Sequence, residues 1–110
     1  MVPPELDAKT LEEIKKKLVK VFAPQEIYLR GPYANQAMGE ELNIDIIIIV
    51  ETATMPRYEM MSAAQVALMS IDIPKNILIY TKEEFDDFSE KAWTLSYLVK
   101  HEGRKIYAKA

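Results

Sequence analysis

Cysteine is absent from this 110-residue chain, and that excludes disulfides, thiolate nucleophiles and cysteine-ligated zinc. A reducing compartment, the cytosol, is the expectation that follows. Histidine occurs once, at His101, so neither a histidine-rich metal site nor a histidine pair can be built. No apolar run approaches the roughly 18 residues that a membrane helix needs; the longest, Ile46 to Val50, is strand-sized. The first residues, Met1-Val2-Pro3-Pro4-Glu5, show no basic segment followed by an apolar one, so no signal peptide and no membrane partner are expected. A basic excess is missing as well. There are 14 Lys and Arg against 17 Asp and Glu, a net charge of -3, which argues against generic nucleic-acid binding. Ser89 and Ser96 have no base in their neighbourhood of the sequence and are not nucleophile candidates.

What is present suits one globular unit. Hydrophobic residues make up 49% and charged residues 28%, and the length predicts a single domain, 1–110. Leu11, Ile14, Leu18 and Val21 recur at helical spacing and predict a helix from about Glu5 to Phe22, ended by Pro24. Glu26 to Arg30 reads as a strand stopped by a Gly31-Pro32 turn. Tyr33 to Glu41 has no clear period and reads as a loop or short helix. Asn43 to Val50 is β-branched and apolar on both faces, the pattern of a central strand covered on both sides. A helix is predicted from Arg57 to about Ser70, with Met61, Ala64, Leu68 and Met60 inward, and a third strand from Asn76 to Tyr80. Thr81-Lys82-Glu83-Glu84 has the form of a capping box and opens a helix with Phe85 and Phe88 inward. A last helix, Ala92 to Glu102, stops at Gly103, and Lys105 to Ala108 reads as a terminal strand. The expected fold class is α+β, a small mixed sheet with helices packed on it.

Several conspicuous residues have plain structural readings. His101 suits the C-terminal end of its helix as a solvated cap residue. Trp93, Tyr97 and Leu98 read as core packing, and Met55, Met60, Met61 and Met69 as core and helix-edge filling. Lys15, Lys16, Lys17 and Lys20, and the acidic run Glu83, Glu84, Asp86, Asp87 and Glu90, read as two solvated helix faces.

Asp45 is the anomaly. A carboxylate inside an apolar, doubly covered strand costs several kcal/mol unless it is paired, hydrogen-bonded or bound to a cation. Strand side chains alternate, so Asn43 and Asp45 share a face roughly 7 Å apart, near the expected N-terminal end of the strand. Pairing with Arg30 or Lys75 and a ligand-binding role are both open at this point.

Ile27-Tyr28-Leu29-Arg30-Gly31-Pro32-Tyr33-Ala34, a short spacer, and Leu42-Asn43-Ile44-Asp45-Ile46-Ile47-Ile48-Ile49-Val50 together resemble the minimal nucleotidyltransferase family of the DNA polymerase beta superfold. The family pattern is a strand, Gly-Ser, a spacer, then hydrophobic-Asp-hydrophobic-Asp-hydrophobic. The resemblance continues through Thr54 to Tyr58, Ile73-Pro74, Ile77 to Phe85, and Leu98 to Tyr107. It implies a nucleotidyltransferase fold and Mg²⁺-dependent transfer of a nucleoside monophosphate from ATP or another nucleoside triphosphate. It also implies a catalytic set at Asn43, Asp45 and Asn76, with Asp45 on the metal and Gly31 and Pro32 at the phosphates.

The same comparison exposes departures. Gly31 and Asp45 match the family; Pro32 stands for its serine, and Asn43 and Asn76 stand for its first and third aspartates. Asn35-Gln36 stands where Arg-Gly is common, and Arg30 where an apolar residue is usual. Asparagine offers a carbonyl oxygen but no negative charge, whereas Mg²⁺ usually needs one or two carboxylates together with substrate phosphates. The expectation is therefore a nucleotidyltransferase-family protein with impaired catalysis. The alternative is a non-catalytic binding module, such as an antitoxin-like partner of a HEPN-type protein. The partners in view are a nucleotide, a HEPN-type protein and a second copy of the chain.

Overall fold

The computed structural model describes residues 8–35 and 41–109, with residues 32–35, 41–43 and Leu95 described by their backbone alone. The elements run α1 (Ala8–Phe22), β1 (Glu26–Asn35), β2 (Glu41–Val50), α2 (Arg57–Ala67), β3 (Lys75–Thr81), α3 (Lys82–Phe88), α4 (Leu95–Glu102) and β4 (Arg104–Ala108). The result is a small α+β fold with one four-stranded mixed sheet, ordered β3-β2-β1-β4, and four helices among the described residues. β1 pairs antiparallel with β2 and β4, whereas β2 and β3 are parallel and joined through α2.

Helices cover both faces. Ile44, Ile46, Ile48 and Val50 of β2 point to one side and pack with Ile14 and Leu18 of α1 and Met60 and Ala64 of α2. Ile47 and Ile49 point to the other side and pack with Tyr28, Phe85 of α3 and Val99 of α4. This is why β2 reads as an unbroken apolar run: neither face meets water, so neither selects polar residues. Burying each such side chain stabilises the fold by roughly 1.5–3 kcal/mol, and Ile44 and Ile46 through Ile49 are fully buried.

The helix ends follow the local sequence. Thr81 and Glu84 form the capping box of α3: the Thr81 hydroxyl accepts from the Glu84 N–H and the Glu84 carboxylate accepts from the Thr81 N–H. α4 is capped by Thr94, which accepts from the Tyr97 N–H. At the end of α1, Ala23 takes φ 45°, the left-handed conformation that glycine usually occupies. The charged helix faces are solvated and laced with ion pairs, Lys15–Glu12 and Lys17–Glu13 on α1 and Lys91–Asp87 on α3 and the turn that follows.

Several expectations are corrected. Gly31-Pro32 does not end β1; the strand runs through it to Asn35. Arg30 faces Asp45 and Tyr33 faces Asn43, so Gly31 and Pro32 together oppose Ile44 in a bulge. Gly31 absorbs the distortion at φ 101°, and proline, lacking an N–H, is tolerated where the ladder is already interrupted. Consequently Tyr33 to Asn35 and Glu41 are strand rather than loop, and Asp45 lies mid-strand; residues 36–40 lie outside those described. The final helix starts at Leu95, not Ala92, so Trp93 precedes its cap and is 83% exposed instead of packed. Val21 and Phe88 are also exposed, as are Met55 and Met69, while Met60 is buried as expected. Gly103 ends α4 as expected, at φ -78°, and glycine is needed there because a Cβ would collide with the Val99 carbonyl oxygen.

Candidate functional site

Register builds the site. Arg30 on β1 lies opposite Asp45 on β2, and Asp45 lies beside Asn76 on β3. Side chains at paired positions project to one face, so the three form a row across three neighbouring strands. Arg30 Nη1 stands 3.4 Å from Asp45 Oδ2, and Asn76 Nδ2 donates to Asp45 Oδ1 at 3.1 Å. Asp45 is 5% exposed, so this carboxylate has left water and its charge is met by an adjacent cation and an amide donor.

Of the residues expected to converge, Asp45 and Asn76 are brought into contact. Asn43 sits in β2 opposite Tyr33, one step past the bulge, and its side chain lies outside the described residues. Gly31 lies in the bulge next to Arg30 and is exposed; the side chain of Pro32 lies outside the described residues. Lys75, the other cation weighed for Asp45, turns away: its ammonium donates to the carbonyls of Ile71 and Ile73 at 2.8 and 3.3 Å. The cation of the row is therefore Arg30, which sequence reasoning noted as a pairing option but did not place in the site. Its signal was a charged residue in an apolar strand, and only the register turned that into a contact.

The row opens at the sheet edge. A cleft of about 610 Å³ runs around β3 and is lined by Asp45, Lys75, Asn76, Ile77 and Leu78 together with Met61 and Gln65 of α2. Nothing in the sequence pointed to Met61 or Gln65 as cleft residues, because they approach from an element distant in sequence. Among the described residues no group of three or more His, Cys, Asp or Glu side chains comes together in a way that would hold a metal ion. His101 is exposed in the last turn of α4, where its ring packs on Tyr97 with centroids 4.2 Å apart. Ser89 and Ser96 are buried, and the Ser89 hydroxyl donates to the Asp86 carbonyl.

Two further clusters lock helices to the sheet. Arg57, the first residue of α2, donates to both Glu84 carboxylate oxygens at 2.7 Å and to the Ile79 carbonyl. Glu26 on β1 receives Lys105 from β4 at 2.7 Å and Lys82 from α3 at 3.2 Å. Burial alone would raise the Glu26 carboxyl, but the hydrogen bonds and charge of the two lysines outweigh it and hold it below the usual carboxylate range. Glu84 is also held low, first by the Arg57 hydrogen bond and then by the Thr81 N–H.

No protein-family model matches the chain, and no curated protein matches it significantly. Among the described residues no helix is long and apolar enough to cross a membrane.

Proposed function

We propose that this protein is a nucleotidyltransferase-like domain whose transfer chemistry is impaired and whose remaining role is binding. Support comes first from the architecture: a small mixed sheet, a glycine at φ 101° beside the carboxylate row, and Asp45 and Asn76 on adjacent strands at an open cleft. The observation that carries the impairment is the state of Asp45. Both of its oxygens already accept, one from Arg30 and one from Asn76.

The Mg²⁺ implied by the resemblance does not fit these residues. Magnesium requires oxygen lone pairs and near-octahedral placement. The row offers one carboxylate, held by two N–H donors, and an asparagine that turns its donor inward. A triphosphate arriving at this floor would meet a carboxylate rather than a metal.

Binding without turnover leaves a partner protein as the target, and the resemblance supplies the class, a helical HEPN-type protein. Tyr58, Val66 and Met69 of α2 and the turn after it are 66–73% exposed, single apolar side chains available to such a partner.

The test is the melting temperature with Mg²⁺ and ATP. Ligand at 100 times its dissociation constant would stabilise by ~2.7 kcal/mol, a rise of several degrees. The native protein should show no rise at millimolar nucleotide. A variant carrying Arg30→Ile, Pro32→Ser, Asn43→Asp and Asn76→Asp should show one. A restored variant that still ignores nucleotide sinks this reading of the cleft, and metal-dependent transfer by the native protein, abolished by Asp45→Asn, sinks the impairment.

A further inference from the structure

We infer that the Arg30 guanidinium is the built-in cation of this row, standing at Asp45 where a divalent metal would otherwise stand, and that the row is closed to metal while Arg30 is present. A buried carboxylate needs an adjacent positive charge, and Arg30 provides it from the register-paired position at 3.4 Å. Lys75 does not compete, because its ammonium is held by two backbone carbonyls.

Asn76 closes the second oxygen. An ionised carboxylate only accepts hydrogen bonds, so the amide edge facing it must be the NH₂ group, and Nδ2 lies 3.1 Å from Oδ1. A divalent ion at Asp45 would have to displace that donor and sit next to a guanidinium. Like charges a few ångströms apart repel.

A carboxylate added at position 76 is therefore not enough. It would add an anion to a row in which the guanidinium still stands at Asp45. Two carboxylates face an ion without an adjacent guanidinium only when Arg30 is removed as well. The inference rests on the nucleotidyltransferase-like reading only in taking a divalent metal as the ion that the row would otherwise hold.

The experiment uses Mn²⁺ alone, with no nucleotide, and follows the paramagnetic signal of free ion in titrations of the native protein, Asn76→Asp, Arg30→Gln and the double variant. The native protein and Asn76→Asp should leave millimolar Mn²⁺ free. The double variant should bind it at least roughly tenfold more tightly than Asn76→Asp. Glutamine is chosen because it keeps an N–H donor for Asp45. If the double variant is unfolded without metal, Mn²⁺ should restore its fold, since binding then drives folding; no recovery overturns the inference. It is equally overturned if the native protein binds Mn²⁺, or if Asn76→Asp and the double variant bind it alike. A fully restored variant that binds Mg²⁺ and ATP, while Mn²⁺ affinity ignores Arg30, would sink this inference and leave the proposed function standing.

Discussion

Arg30 and Asp45 face each other across the β1–β2 pair, and their side chains meet at 3.4 Å on the row that ends at Asn76. The pair is asymmetric. The Asp45 side chain is 7% exposed and that of Arg30 is 27% exposed, so the anion depends on the cation more than the cation depends on the anion.

That asymmetry gives the first prediction. Arg30→Ala removes the facing guanidinium from a carboxylate that is only 7% exposed, and should cost about 3 kcal/mol, the lower end for a broken buried pair. Asp45→Asn keeps a polar side chain opposite a guanidinium that is already 27% exposed, and should cost about 1 kcal/mol. Urea unfolding of both variants checks the order; equal losses would show that the pair is held by something other than this burial difference.

Glycine is required at two positions for different reasons. Gly31→Ala should lose about 1–2 kcal/mol, because a Cβ is strained at φ 101° in the bulge. Gly103→Ala meets no such conformational cost at φ -78°, but its Cβ would collide with the Val99 carbonyl and push α4 away from β4. A loss of about 1–3 kcal/mol is expected there. Hydrogen exchange separates the two: Gly31→Ala should loosen the β1–β2 ladder, and Gly103→Ala the end of α4.

Ala23 points the other way. Its φ of 45° places an exposed alanine in the left-handed region at the end of α1. Ala23→Gly removes the steric penalty at the cost of a more flexible unfolded chain, and should stabilise by about 0.5–1 kcal/mol. Calorimetry should show the melting temperature rising by ~2–6 °C.

The pH dependence follows from Glu26 and Glu84. Both are held below their ordinary value of 4.5, Glu26 by Lys105 and Lys82 acting against burial and Glu84 by Arg57 and the Thr81 N–H. A carboxyl lowered in the folded state stabilises above its unfolded value and loses that contribution as pH falls through its folded value. Stability should therefore be flat from neutral pH down to about 4.5 as far as these two groups are concerned, and then decline. Glu26→Gln should remove part of that decline in acid denaturation curves. An unchanged slope would mean that the lysine clamp does not hold in solution.

Much of the fold was legible along the chain. The Thr81 capping box, the inward face of α2 and the doubly covered Asn43–Val50 strand rest on interactions within a few residues or on a simple period, and the structure has them. The misreadings share a cause. Gly31-Pro32 has the composition of a turn, but pairing with β2 on both sides of the bulge carries β1 past it. Trp93 looked like core because its spacing from Tyr97 is helical, yet the helix begins only after Thr94.

For the site, sequence by itself determined that Asp45 is a charge in an apolar strand and that Asn76 stands near the start of the next one, since identity and alternation are local properties. Tertiary structure alone decided that Arg30 is the cation beside Asp45 and that Lys75 is not. Those contacts depend on a strand register set by the whole sheet and by a single bulge, and a slip of one residue would send every side chain to the opposite face.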